Sequence, residues 1–401
     1  MSTFLWLGTM GTAAVVTHAA VRRGRIFATF AGVFVGVHTL AASAVVAALG
    51  PGLLGTAFGA ANALVYTHFF FLARPRWKPG WYRAAVSVPA HVLSATAIMS
   101  LPFMAANALG APAAVVALPF ALGALGALES LRTPRESYEI HLDREDRGPL
   151  GRVKFTRRAG VPATDRGPHE ALRVVQITDP HLGPFMSVAR LRAIAERAAR
   201  LNPDLVLLTG DFLTMESHED PGLLAEALSP LAPLAGRTFA CMGNHDHEAP
   251  ATVREGLSRA GVTLLVDELA VASTRLGPVE ILGLDFRFRD RARHLESVCA
   301  MHPRSPGVPR LALLHDPGAF AHLPEGAADL VFSGHTHGGQ VGLLRFGLAH
   351  TIVSALTKIP DHGLWGRGRD RLYVHRGTGH YGFPLRVGVP SEESLLHITG
   401  L

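Results

Sequence analysis

The sequence predicts an N-terminal all-α transmembrane segment of about five helices, followed by an α/β domain with buried sheets. Two patterns predict it. Residues 1–21, 26–73 and 84–128 contain no Asp, Glu, Lys or Arg, and about 20 consecutive apolar residues suffice to cross a bilayer as a helix. From Leu172 onward, short apolar runs end in polar clusters and alternate with helically spaced segments. That is the pattern of strands buried in a sheet and covered by helices.

The first charge-free stretch fits one span, and each of the longer two fits a pair. Gly50-Pro51-Gly52 and the run from Asn107 to Pro112 provide the tight reversals within the pairs. Small residues such as Gly55 and Gly59 allow close helix approach. A cleaved signal peptide is the other reading of residues 1–21, but no basic residue precedes the apolar run. The loop after span one carries Arg22, Arg23 and Arg25, and the loop after span three carries Arg74, Arg76, Lys78 and Arg83. Arg132 and Arg135 follow span five, whereas the loops after spans two and four are uncharged. All positive loops fall on one side, which the positive-inside rule makes the cytoplasm. The expectation is an integral protein of the inner (cytoplasmic) membrane, with everything after Arg132 in the cytoplasm. His18, His38, His68 and His91 lie inside predicted spans, where histidines either serve a haem or a proton path or simply bond between helices.

The hydrophobic share of 48% against 17% charged residues agrees with a membrane portion. A formal net charge of +6 invites a nucleic-acid reading. The first 128 residues hold only the cations just named and no acid, so the basicity belongs to the membrane segment and the remainder is close to neutral. No general phosphate-binding surface follows, and no nucleic-acid partner is expected. Cys241 and Cys299 form neither a CxxC pair nor a disulfide framework. Cys241 ends a run that reads as a buried strand, and it is expected as a structural thiol.

The expected boundaries are a membrane domain over 1–131, a linker over 132–170 and the α/β domain over 171–401. The linker is charged and holds Gly and Pro. Its alternating segment 137–142 could form a strand, and 160–168 reads as a loop. In the α/β domain, 172–178 runs into Asp179-Pro180-His181, and helical spacing follows over 188–201. The run 204–209 leads into Gly210-Asp211, with a second helix over 223–234. Residues 237–242 lead into Gly243-Asn244-His245-Asp246, 310–314 into His315-Asp316, and 329–332 into Ser333-Gly334-His335-Thr336-His337.

Each run thus delivers metal-competent side chains at its C-terminal end, the edge where ligands of open α/β sheets collect. Asp179, His181, Asp211, Asn244, His315, His335 and His337 include no thiolate, which argues against a structural zinc site. Mixed carboxylate, imidazole and amide donors suit divalent ions of hydrolytic sites, Mn, Fe, Zn or similar. Two such ions roughly 3.5–4 Å apart clamp an in-line displacement at phosphorus. The plain alternative for each residue is a polar cap at a strand end.

These blocks together resemble the calcineurin-like metallophosphoesterases, whose pattern is D-x-H, GD, GNH[DE], H and GHxH at successive strand ends. All five blocks stand in order between Asp179 and His337. The longer strings 202–211 and 333–340 are similar to a bacterial branch that includes membrane-linked phosphohydrolases, some acting on lipid-linked phosphates or nucleotide-lipid pyrophosphates. The resemblance implies two packed β-sheets flanked by helices. It also implies one metal on Asp179, His181, Asp211 and His337 and a second on Asp211, Asn244, His315 and His335, with Asp211 bridging. A shared water, deprotonated near neutral pH, would attack phosphorus. His245 is implied as the group that protonates the leaving oxygen or stabilises its charge, oriented by Asp246.

Phe212-Leu213-Thr214 departs from the pattern, since many relatives carry an acidic residue just after GD; this loosens the substrate inference more than the metal inference. Asp316 reads as support for an imidazole or as an ordinary cap. His247 reads as an exposed residue or a substrate contact. Gly338, Gly339 and Gln340 would let the backbone pass close to the site. Residues 377–382 and Arg386 resemble the branch's closing loop, with Arg386 as a phosphate ligand or a surface ion pair. The expected function is a membrane-anchored phosphoesterase working through metal-bridging hydroxide. Its phosphoester substrate would be lipid-linked, because anchoring raises the local concentration of lipids. The rivals are a nucleotide or cyclic-nucleotide phosphodiesterase, a catalytically silent membrane sensor, against which the complete ligand set speaks, and a haem-carrying electron-transfer protein. The sequence names no oligomeric state.

Overall fold

A computed structural model describes residues 3–142, 145, 146, 148–160, 168–383 and 385–401. The chain divides into two compact units: Met1–Leu131 with Gly382–Val387, and Arg132–Tyr381 with Gly388–Leu401.

The N-terminal part of the first unit is helical. Thr3–Arg22 and Arg25–Leu49 are followed by Leu53–Ala61 and Ala63–Leu72, the last two joined at Asn62. The Asn62 amide donates to the Phe58 carbonyl at 2.6 Å and keeps the backbone group satisfied at the joint. A helical stretch from Gly80 to Ala108 contains one π-helical turn, Arg83–Ser87, and Leu118–Ser130 begins with a 3₁₀ turn at Ala113–Ala117. The reversals fall at Gly50-Pro51-Gly52 and after Asn107, whose side chain closes the turn on the Ala111 carbonyl at 2.9 Å. Thr3–Arg22, Arg25–Leu49 and Gly80–Ala108 are long and apolar enough to cross a membrane, and Ala114–Ser130 is a shorter apolar helix. The unit interior is built from small and branched side chains, Val35, Ala42, Val45 and Ala97 among them. Polar contacts link Thr12 to Thr39 (3.0 Å) and Thr39 to Tyr66 (2.9 Å). His68 and His91 face each other edge-on at 4.8 Å, and His91 Nδ1 bonds the Ser87 carbonyl at 2.7 Å.

Among the described residues the second unit is built on fourteen strands: β1 (Arg135–His141), β2 (Gly151–Arg152), β3 (Thr156–Ala159), β4 (Leu172–Ile177), β5 (Leu205–Leu208), β6 (Thr238–Ala240), β7 (Thr263–Leu264), β8 (Glu268–Thr274), β9 (Gly277–Leu284), β10 (Arg310–Leu314), β11 (Leu330–Ser333), β12 (Gly363–Arg367), β13 (Asp370–Val374) and β14 (Glu393–Thr399). They form two seven-stranded sheets, β3-β1-β14-β4-β5-β6-β7 and β2-β12-β13-β11-β10-β9-β8. The sheets pack face to face. Val174, Leu205, Leu207, Phe239, Leu396 and Ile398 of one share a buried cluster with Ile281, Leu311, Leu313, Phe332 and Tyr373 of the other. Helices cover the outer faces. On the second sheet, Leu295 and Val298 of the helix Arg291–Met301 pack with Leu282, Leu314 and Val331. Strands buried on both faces have no polar side to show, which is why β5 and residues 311–314 of β10 read as unbroken apolar runs.

The stretch 132–170, expected as a linker, instead belongs to the sheets. β1 pairs in parallel with β14 and antiparallel with β3, and β2 pairs with β12. Its charge misled, because Glu136 is buried against Arg157 and Arg376 rather than solvated. The expected strand at 137–142 is part of β1, and most of the expected loop at 160–168 lies outside the described residues.

Candidate metal centre

At the C-terminal ends of β4, β5, β10 and β11, and in the loop after β6, the backbone turns sharply. Asp179, His181, Asp211, His335 and His337 all adopt positive φ, between 46° and 67°. Non-glycine residues avoid this region, and such strain persists where surrounding structure enforces it, typically at functional sites. Here the turns aim the carboxylates and imidazoles off the sheet edge and toward one another.

Two trios result. The ligand atoms of Asp179, His181 and His337 lie within 4.8 Å of one another, and so do those of Asp211, His315 and His335. Asp211 stands between them. Its Oδ1 accepts the His245 backbone N–H at 2.8 Å, and its Oδ2 lies 3.6 Å from His181 Nε2 and 3.2 Å from His315 Nε2. Asn244 Oδ1 lies 3.2 Å from His315 Nε2, which also lies 3.2 Å from His335 Nδ1. Asp179 holds the His335 backbone N–H at 3.0 Å. The structure therefore brings all seven expected ligands into one cluster.

The donor set fits a pair of cations. His315 Nδ1 donates to the Thr209 carbonyl at 2.6 Å and His181 Nδ1 to the Leu213 carbonyl at 3.4 Å. This turns both Nε2 atoms toward the carboxylates, the position from which a deprotonated imidazole would take an ion. His181 Nε2 is buried and hydrogen-bonds to nothing, the signature of a ligand atom awaiting an ion. The electrostatics agree. Burial disfavours a charged His315, yet Asp211 and Asp179 push it up to about 10. Burial and the Asp211 charge together raise Asp179 to about 6. Burial also opposes an ionised Asp211, but His315 and His181 hold it well below the usual carboxylate range. Burial prevails at two other imidazoles, lowering His181 to about 3 and His335 to about 4, so the positive charge of the cluster concentrates on His315. Gly334 makes the close approach possible, since a Cβ there would overlap the Asp179 carboxylate and Thr178.

Asp246 departs from expectation. Its buried carboxylate accepts the backbone N–H groups of Asp211 (2.7 Å), Phe212 (2.8 Å) and Gly243 (2.8 Å) and makes no bond to the His245 ring. Its reach is taken up by the Gly210–Phe212 turn that it braces. The ring is held instead by Glu248, whose Oε1 lies 2.7 Å from His245 Nδ1. Burial disfavours the His245 cation, but that bond and the Asp211 charge prevail and raise its pKa. Asp316 accepts the Gly318 N–H at 2.7 Å and pairs with Arg291 at 2.8 Å, which makes it a cap rather than an imidazole support. His247 bonds Asp285 at 3.0 Å. Arg386 is fully buried, which removes the surface ion pair considered for it.

Tyr381 is a site residue that motif spacing did not single out. Its ring stacks on His181 at 5.0 Å and meets His245 edge-on at 4.9 Å. The Gly379 and Thr378 backbone N–H groups donate to the Asp179 and Thr178 carbonyls at 3.0 and 2.8 Å, so the 377–381 loop lies directly on the ligand turn. The glycine-rich string of this loop was the available signal; only the fold puts the tyrosine over the imidazole.

Residues 172–339 match the family described as Calcineurin-like phosphoesterase. That stretch is similar to a family of dimetal-dependent hydrolases acting on phosphoester bonds. It is 29% identical over 232 residues to phosphodiesterase YaeI of Escherichia coli (strain K12), covering 57% of this chain and 82% of that one. It is 29% identical over 261 residues to UDP-2,3-diacylglucosamine pyrophosphatase LpxG of Chlamydia muridarum, covering 52% and 78%. A transmembrane protein with metallophosphoesterase domain from Danio rerio is 29% identical over 239 residues, covering 55% of this chain and 52% of its own.

Proposed function

We propose that the protein is a membrane-anchored dimetal phosphoesterase acting on lipid or lipid-linked phosphoesters at the cytoplasmic face of the inner membrane. The observation that carries the reading is the Asp211 carboxylate, shared between two histidine-containing trios in a chain whose N-terminal helices are long enough to span a bilayer. LpxG is a UDP-2,3-diacylglucosamine pyrophosphatase, and the similarity to it supports a lipid-linked substrate for this protein.

In this reading Asp179, His181, Asp211 and His337 hold one ion, and Asp211, Asn244, His315 and His335 hold the other. Once bound, the ions supply an acidified water near neutral pH and positive charge for the phosphoryl oxygens. The protein's own groups do the rest. Backbone bonds fix His181 and His315 in the tautomer that offers Nε2. Asp246 locks the turn that carries Asp211. His245 holds a proton, with Nδ1 committed to Glu248 and Nε2 left to serve the leaving oxygen.

The test is hydrolysis of bis-p-nitrophenyl phosphate by the full chain in detergent, with Mn added or chelated, followed by a screen of membrane phospholipids and nucleotides. Chelation is expected to abolish turnover, and Asp211→Asn to lower it by more than about 100-fold, the upper range for loss of an outer-shell partner. Activity surviving both ends the two-metal reading. Turnover of cyclic nucleotides without lipid phosphates would replace its substrate half.

A further inference from the structure

The stretch that follows the His335–His337 turn carries a surface no step above uses. Residues 341–360 contain no Asp or Glu, and Arg345 and Lys358 supply their full charges. Leu343, Phe346, Leu348, Ile352, Leu356 and Ile359 are all exposed, Phe346 at 72% and Leu356 at 76%. A single exposed apolar side chain is ordinary, but a run of them along one acid-free segment marks a contact surface.

The segment is firmly held. The Leu343 N–H donates to the His350 carbonyl at 2.8 Å, Arg345 N–H to Gly388 at 3.0 Å and Ile352 N–H to Val341 at 2.9 Å. Thr351 and Ser354 cap the short helix Ile352–Leu356 reciprocally. Leu344 is turned inward while its neighbours point out. The Thr351 hydroxyl donates to the buried Asp361 carboxylate at 2.5 Å. The hydroxyl of Thr336, between two of the histidine ligands, donates to the Asp361 carbonyl at 2.7 Å. The apolar lip and the His335–His337 turn are therefore braced on one residue.

We propose that residues 341–360 form an interfacial lip that enters the headgroup layer of an anionic bilayer and presents the metal centre to a phosphoester in that leaflet. Bulky aliphatic and aromatic side chains beside Arg and Lys are the composition of segments that lie in a membrane interface. Cations without acids complement anionic headgroups. The same chain carries helices able to cross a bilayer, so a lipid surface is the occupant the molecule itself supplies. The inference rests on the lipid-linked reading above and deepens it.

The test uses the full chain in vesicles of phosphatidylcholine and phosphatidylglycerol, in a Cys299→Ser background, with nitroxide labels on Phe346→Cys, Leu356→Cys or Val271→Cys. Val271 is 62% exposed and serves as the aqueous reference. Labels at 346 and 356 are expected to meet dissolved oxygen more often than a water-soluble nickel chelate, with the order reversed at 271. Equal behaviour at all positions overturns the proposal. So does protection that grows with protein concentration, which would make the face a contact between copies. The double variant Phe346→Asp with Leu356→Asp is expected to keep its rate on bis-p-nitrophenyl phosphate and lose about tenfold on phospholipid in vesicles, as lost interfacial burial implies. Equal loss on both, or none on vesicles, also overturns it. The label readout needs no turnover, so an inactive enzyme would refute the phosphoesterase reading without touching the lip, and the reverse.

Discussion

Asp211 shows how much chemistry one side chain concentrates. One oxygen is tied to the His245 backbone and the other is left between two imidazoles, so the residue cannot be replaced by anything lacking a second anionic oxygen. His245 differs, because its ring touches no carboxylate of the ligand set. His245→Ala is expected to keep both ions, measured by metal analysis of the purified protein, while turnover falls by about 100-fold or more, the range for a lost general acid. Glu248 acts through that ring. Glu248→Gln should cost roughly tenfold alone and nothing further in the His245→Ala background, and an additive loss would show an independent role. Gly334→Ala pushes a methyl into the Asp179 carboxylate. It is expected to weaken metal affinity by about 10–100-fold in calorimetric titration, with the fold retained by circular dichroism.

At the scale of elements, the buried ends of β1, β13 and β14 are joined by charge. Arg376 donates to Glu136 at 2.5 Å and to Glu392 at 2.9 Å, and the Tyr373 hydroxyl also bonds Glu392. Burial alone would raise Glu392, but the His375 and Arg376 cations hold it down at about 2. The folded value lies below the unfolded carboxylate's, so the stability it contributes is complete above about pH 4.3 and is lost as pH falls toward 2. Melting followed by near-UV dichroism between pH 7 and pH 3 should show this loss in the native protein and a shallower slope in Glu392→Gln. That variant also starts lower at pH 7, because breaking a buried ion pair costs about 3–5 kcal/mol. The sheet interface obeys a simpler rule. Leu207→Ala, in the cluster shared by both sheets, is expected to cost about 2–5 kcal/mol in transfer and cavity energy.

For the whole molecule, the arginine-bearing loops carry the proposed orientation. Arg22, Arg23, Arg25, Arg74, Arg76, Lys78 and Arg83 flank helical stretches that reverse where glycine, proline and asparagine were read to reverse them. A green fluorescent reporter fused after Leu401 is expected to fluoresce, and alkaline phosphatase in the same place to be inactive. Active phosphatase there would invert the topology.

The apolar helices and the clustered strand-end residues were legible in the chain because each is a local pattern. Charge-free runs mark helices without reference to any partner, and Asp179, His181, Asp211 and the others stand directly after apolar strands that can end in few other ways. What tertiary structure decided is what depends on pairing across distance. Residues 132–170 read as a charged linker with one possible strand at 137–142, and the place of that strand in a sheet depends on Arg376, more than two hundred residues away, neutralising Glu136. β14 enters the first sheet between β1 and β4, an insertion that no periodicity announces. The resemblance implies that Asp246 orients the His245 ring, but a strand-end turn rotates neighbouring side chains apart, and only the fold sends one to the backbone of Asp211 and leaves the other to Glu248. Sequence specifies which groups are available at each strand end; which of them meet is settled by sheet order and by the turns that packing forces into positive φ.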